Sequence, residues 1–205
     1  MLKSIALVCG FWLMAGVAAI AASLEDAGTV LAQSGQSFVT SDGQRSALKI
    51  GATIHVGDQL EVPARAKIRF RMTDGSIVTA ASGTRMTISA YKVNGTQSRE
   101  VLFSLMSGLL RAVVSVMLQP SHFEVKTATG VAAVRSTDWF IRVGAGSTQV
   151  GVLKGIVSLT SASTGRRVDI PARWGTRVEA GRDPVPPRAW DKAEFQDVID
   201  RTDLP

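Results

Sequence analysis

Thiol chemistry has almost nothing to work with in this chain, because Cys9 is its only cysteine and lies inside an early apolar run. Once that run is removed, disulfide stapling, thiolate catalysis and cysteine-based metal binding are closed. The fold must then hold through its core alone, even in an oxidising compartment. Histidine is nearly as scarce: His55 and His122 are the two present, and they are not paired at metal-ligand spacing. No metal centre is expected. Gly-x-Ser-x-Gly and a phosphate-binding loop are missing as well. The acids Asp58, Glu61, Asp74 and Asp138 all have turn or strand-end explanations. The sequence therefore reads as non-catalytic and without a cofactor. Aromatic residues make up 6% of the chain, with one tyrosine, too few beside basic residues for base stacking, which argues against nucleic acid as a partner.

What is present begins with a leader. Lys3 supplies a small positive start, residues 5–20 are almost wholly apolar, and Ala21, Ala22 and Ser23 are small. This is the pattern of a cleaved signal peptide over residues 1–22, with an uncleaved anchor as the rival reading. The expected location is the periplasm or the outside of the cell. Loss of Lys3 lowers the formal charge from +6 to +5. The tail from residue 182 carries four basic and six acidic residues, so the remainder is more basic than the whole. Such a domain can meet an acidic protein, anionic lipid or an envelope polymer.

From Gly28 to Gly181 short apolar and β-branched runs alternate with Gly, Asp-Gly, Asn-Gly and Ser-Gly turns. About a dozen strands at this spacing predict an all-β domain over residues 23–181, of stacked short strands in a solenoid-like or sandwich arrangement. The clearest strand is 67–72, where Ile68, Phe70 and Met72 alternate with Lys67, Arg69 and Arg71. Those three cations, about 7 Å apart along one face, are the candidate binding surface. Ser107-Gly108 reads as a turn, and 109–118 as a strand covered on both faces. Residues 182–187 form a Pro-rich connector, and Phe195, Val198 and Ile199 then recur at helical spacing among acids. A short amphipathic C-terminal helix is expected, either capping the open end of the domain or binding a partner.

Several phrases in order resemble a FecR domain. They are Val56-Gly57-Asp58-Gln59-Leu60, Thr73-Asp74-Gly75-Ser76-Ile77, Leu105-Met106-Ser107-Gly108-Leu109-Leu110-Arg111, and Phe123-Glu124-Val125-Lys126-Thr127. The block Val134-Arg135-Ser136-Thr137-Asp138-Trp139-Phe140 and the run Val150 to Val157 complete a likeness over about residues 56–178. Ser136 stands where the family's block has glycine. Beside the resemblance, Arg135, Thr137 and Asp138 are read as a charged network fixing a strand end, and Trp139 or Phe140 must face inward. Well-known members pair a periplasmic β-domain with a sigma-factor-binding segment and a transporter-contacting region. This chain is expected to have neither, so the resemblance implies the fold and an extracytoplasmic role without iron signalling. The leading expectation is a binding or scaffolding module that contacts another cell-envelope protein through strand edges or its basic face. Recognition of envelope glycan or anionic lipid is the alternative.

Overall fold

The computed structural model describes residues 25–95, 97–116 and 121–204; the leader predicted at 1–22 lies outside them. The strands are β1 (Asp26–Ser34), β2 (Phe38–Ser41), β3 (Gln44–Ala47), β4 (Thr53–His55), β5 (Gln59–Val62), β6 (Lys67–Met72), β7 (Ile77–Ala80) and β8 (Thr84–Asn94). They continue with β9 (Ser98–Val113), β10 (Ser121–Lys126), β11 (Gly130–Val134), β12 (Asp138–Gly144), β13 (Ser147–Lys154) and β14 (Ile156–Ser161). Finally come β15 (Arg167–Pro171), β16 (Trp174–Glu179), β17 (Arg188–Ala189) and the helix α1 (Lys192–Thr202).

The ladders sort into two sheets. The first runs β4-β1-β6-β7-β9-β12-β13-β16-β17. The second runs β3-β2-β5-β8-β9-β10-β11-β14-β15. Ile68 and Phe70 of the first sheet and Ile88 and Phe103 of the second belong to one buried cluster. The fold is thus an all-β sandwich, with pairing antiparallel among the described strands except between β9 and β10. Period-two patterning explains the faces: in β6, Ile68, Phe70 and Met72 are at most 1% exposed, while the basic residues between them point out.

β9 belongs to both sheets. Its first part pairs with β8 and β10, and its last part with β7 and β12. Val101, Phe103 and Leu105 face the core on odd positions, whereas Leu110 and Ala112 face it on even ones. A strand can exchange faces only by absorbing a one-residue slip. The ladder slips between Leu105 and Ser107; Gly108, at φ +98, follows that slip, and a Cβ there would sit 2.4 Å from the Thr84 Cα. The predicted turn at Ser107-Gly108 is therefore a bend inside one strand. The described part of the apolar run after it is covered on both sides only at its start, where Leu110 packs in the sandwich and Leu109 outside it; the strand ends at Val113, and Val113 and Val116 are 45% and 80% exposed.

The Pro-rich connector is pinned to the sheet, because the Val185 N–H donates to the Arg177 carbonyl and Thr176 donates to the Val185 carbonyl. β17 then pairs with β16, and α1 starts at a reciprocal cap: Asp191 accepts from the Glu194 N–H, and Glu194 from the Asp191 N–H. The helix lies across the outer face of the first sheet, where Phe195 and Val198 join Trp190, Phe140 and Leu109 in a second apolar cluster.

Candidate docking faces

The basic stripe of β6 is largely occupied by the chain's own tail. Lys67 Nζ donates to the carbonyls of Asp200 at 2.9 Å and Asp203 at 3.1 Å. Arg69 donates to the carbonyls of Leu204 at 2.9 Å and Thr202 at 3.4 Å. These carbonyls lie in and just beyond the last turn of α1, where orphan acceptors and the helix dipole both favour cations. Arg71, the third residue of the stripe, is exposed.

Around this contact the outer face forms an apolar pad with a cationic rim. Phe140 meets Trp190 and Phe195 at ring-centroid distances of 5.5 and 6.4 Å. Trp190 needs bare backbone beneath it: a Cβ on Gly175 would lie 2.2 Å from its indole, and one on Gly151 would lie 2.4 Å from the Phe140 ring. Arg142 pairs with Asp197 at 2.7 Å, and the Arg173 guanidinium lies 5.3 Å from the Phe195 ring centre. Arg111 holds Asp138 in two bonds of 3.0 and 2.8 Å. That hydrogen bonding keeps the Arg111 pKa above its ordinary value.

The network expected from Arg135, Thr137 and Asp138 does not form. Between β11 and β12 the chain passes from the second sheet to the first, so Arg135 stays with one and Asp138 with the other. Asp138 pairs with Arg111. The Arg135 carbonyl accepts from Arg99 at 2.7 Å, and Thr137 donates to the Ile156 carbonyl at 3.4 Å. Both adjacent aromatics are buried, Trp139 in the sandwich and Phe140 under the tail. Ser136 is not left-handed; Gly155 beside it is, at φ +93, and a Cβ there would press to 2.8 Å from the Ser136 carbonyl oxygen.

Arg99 is the centre of a buried polar cluster that the sequence reading missed. It bonds Asp74 at 2.6 Å, Ser121 at 2.8 Å and the Ser115 carbonyl at 3.2 Å, besides Arg135. Asp74 also takes the Ser76 N–H and hydroxyl, so the expected turn at Asp74-Gly75 is present and is fixed from inside. A signal for Arg99 was available: it shares the inward parity of Val101, Phe103 and Leu105.

The second sheet presents a different outer face. Across β10, β11, β14 and β15 an open groove of about 600 Å³ is lined by His122, Glu124, Arg135, Ile156, Arg167 and Asp169, with Ser136, Thr137 and Ser158. Ile156 is 61% exposed within it. Asp169 accepts from Ser158 at 2.6 Å and from Arg167 at 3.1 Å, and the serine contact leads in holding its carboxyl below the usual range. The other histidine, His55, lies 3.3 Å from Asp26 and 3.6 Å from Asp58 in the β4–β5 turn. Among the described residues no group of three or more His, Cys, Asp or Glu is arranged to hold a metal ion.

Residues 58–158 match the family model described as FecR protein. Two crystal structures of a candidate anti-sigma factor from Parabacteroides distasonis share the fold, with TM-scores of 0.56 and 0.54 at 15% and 16% identity. In both, the match covers 67% of this chain and 62% of that one, so the chain spans less than two thirds of those relatives. No curated protein matches it.

Proposed function

Because this chain carries a FecR domain at residues 58–158, we propose that it is a non-catalytic regulatory module of the cell envelope, exported by its leader, that works by binding another envelope protein. One observation carries the reading. The first four residues of the distinctive family block Val134–Phe140, Val134 to Thr137, line the open groove of the second sheet. Glu124 and Asp169 balance Arg135 and Arg167 there, and the exposed Ile156 supplies an apolar contact. A charge-balanced groove with an apolar centre suits a protein segment and selects poorly for a polyanion. The glycan or anionic-lipid alternative rested on the β6 stripe, of which Lys67 and Arg69 are engaged by the tail. Among the described residues no helix is long and apolar enough to cross a membrane.

The test places a photocrosslinking amino acid at Ser158 in the groove and, as a control, at the exposed Ser46 of β3. Crosslinking is done in the native envelope. The reading expects one discrete protein adduct from position 158, little from 46, and retention at about 1 M salt, where exposed charge contacts are screened. Adducts of lipid or glycan that vanish with salt would instead support the alternative. Mass spectrometry of the mature chain should find its first residue at Ala22 or Ser23.

A further inference from the structure

We propose that the outer face of the first sheet is a receptor for an acidic amphipathic helix of a partner protein, held closed by residues 190–204 of the chain itself. This surface lies apart from the groove of the second sheet, and the inference does not depend on that groove.

The pad is shaped for an inserted aromatic, since Gly151 and Gly175 leave bare backbone where a Cβ would collide with Phe140 or Trp190. Its rim gathers cations from separate elements: Lys67 and Arg69 of β6, Arg111 of β9, Arg142 of β12, and Arg173 just before β16. Arg111 is already held by Asp138, so the surplus lies with Lys67, Arg69, Arg142 and Arg173; four such cations around an apolar centre repel a basic helix and attract an acidic one. The tail shows the complement, with Trp190, Phe195 and Val198 as anchors and Asp197 and Asp203 facing Arg142 and Arg69.

The occupant can leave without opening the sandwich. No tail residue belongs to the main core cluster, whose last member is Val178; the anchors pack instead with Ala81, Leu109 and Phe140 in a separate cluster on the outer face. Among the described residues the backbone ties of the tail to the sheet are short: the two-residue pairing of β17 with β16 and the Trp190 N–H donating to the Arg173 carbonyl at 3.0 Å. Pro184, Pro186 and Pro187 stiffen the connector, so the tail lifts as a unit. A partner helix of the same chemistry then competes with a tethered rival, and its apparent affinity falls by the fraction of molecules that are open.

The experiment uses the full chain and, as probe, a fluorescent synthetic peptide of residues 188–204. In one variant Phe195→Asp and Val198→Asp release the tail. The released variant should bind the peptide at least about tenfold tighter than wild type. Adding Lys67→Glu and Arg69→Glu to it should weaken binding by about tenfold or more. Equal binding by wild type and released variant, or none by a released variant with native β circular dichroism, overturns the proposal. Loss of that β signal on release overturns it too, because the tail would then be inseparable from the core. Hydrogen exchange on wild type adds an independent readout. Amides of residues 192–202 should exchange at least about a hundredfold faster than those of β9 and β12; equal protection rules out a removable tail.

Discussion

The guanidinium of Arg99 lies 2.6 Å from the carboxylate of Asp74, and neither side chain retains any exposed surface. The pair joins the β6–β7 turn to the start of β9, and through Ser115, Ser121 and Arg135 it ties three further segments at one end of the sandwich. Removing one partner strands a charge in the interior. Asp74→Ala or Arg99→Ala should therefore cost about 3–5 kcal/mol, read as a lower denaturant midpoint. The double change Asp74→Leu with Arg99→Met should cost clearly less than the sum of the singles. Simple additivity would mean the two are not coupled.

Tyr91 stands beside this pair and accepts hydrogen bonds from Thr73 at 3.0 Å and from the Asp74 N–H at 2.9 Å. Burial, the largest cause, pushes its hydroxyl from 10.0 up to about 12. The folded value is raised, so the fold favours the protonated form. Its contribution is fully present below pH 10 and is lost as pH climbs towards 12. Because this is the only tyrosine, phenolate absorbance reports it alone and should titrate near 12. Melting temperature should fall across that window in wild type and less steeply in Tyr91→Phe.

Gly108→Ala asks β9 to place a Cβ 2.4 Å from the Thr84 backbone at φ +98. Strain and overpacking together should cost about 3 kcal/mol or more, measured by chemical denaturation. Gly83→Ala is the comparison: its φ of +77 carries the strain, but open space surrounds its Cβ position. It should cost only about 1–2 kcal/mol.

Gly175→Ala should act locally. The added methyl meets the Trp190 ring at 2.2 Å, so the tail must shift while the sandwich stays intact. The expected outcome is faster amide exchange in α1 with exchange in β9 unchanged; a drop in global stability of the same size would place Trp190 within the main folding unit.

Much of the fold was legible because its strands obey one local rule. The bounds of β6 and β7 match the alternation of Ile68, Phe70 and Met72 and the short Ile77-Val78 run. Asn94-Gly95 marked the β8–β9 hairpin. What pattern alone could not reveal depends on contacts distant in sequence. Ser107-Gly108 carries the same letters whether the chain turns back or changes sheet, and only Thr84 and the facing strands decide. The partners of the β6 cations lie more than 130 residues away in the tail, beyond any local period. Asp138 likewise finds Arg111 across a strand pair rather than its neighbour Arg135. The choice between solenoid and sandwich turned on hydrogen-bond direction, which a hydrophobic pattern does not encode.

Sharing β9 between the two layers has a mechanical outcome. Prising the sandwich open would require tearing hydrogen bonds from both halves of one covalently continuous segment, so neither layer can detach and leave the other whole. Heat or denaturant should meet a single cooperative unit there. A protease should release the tail first and then find no stable half-molecule to stop at.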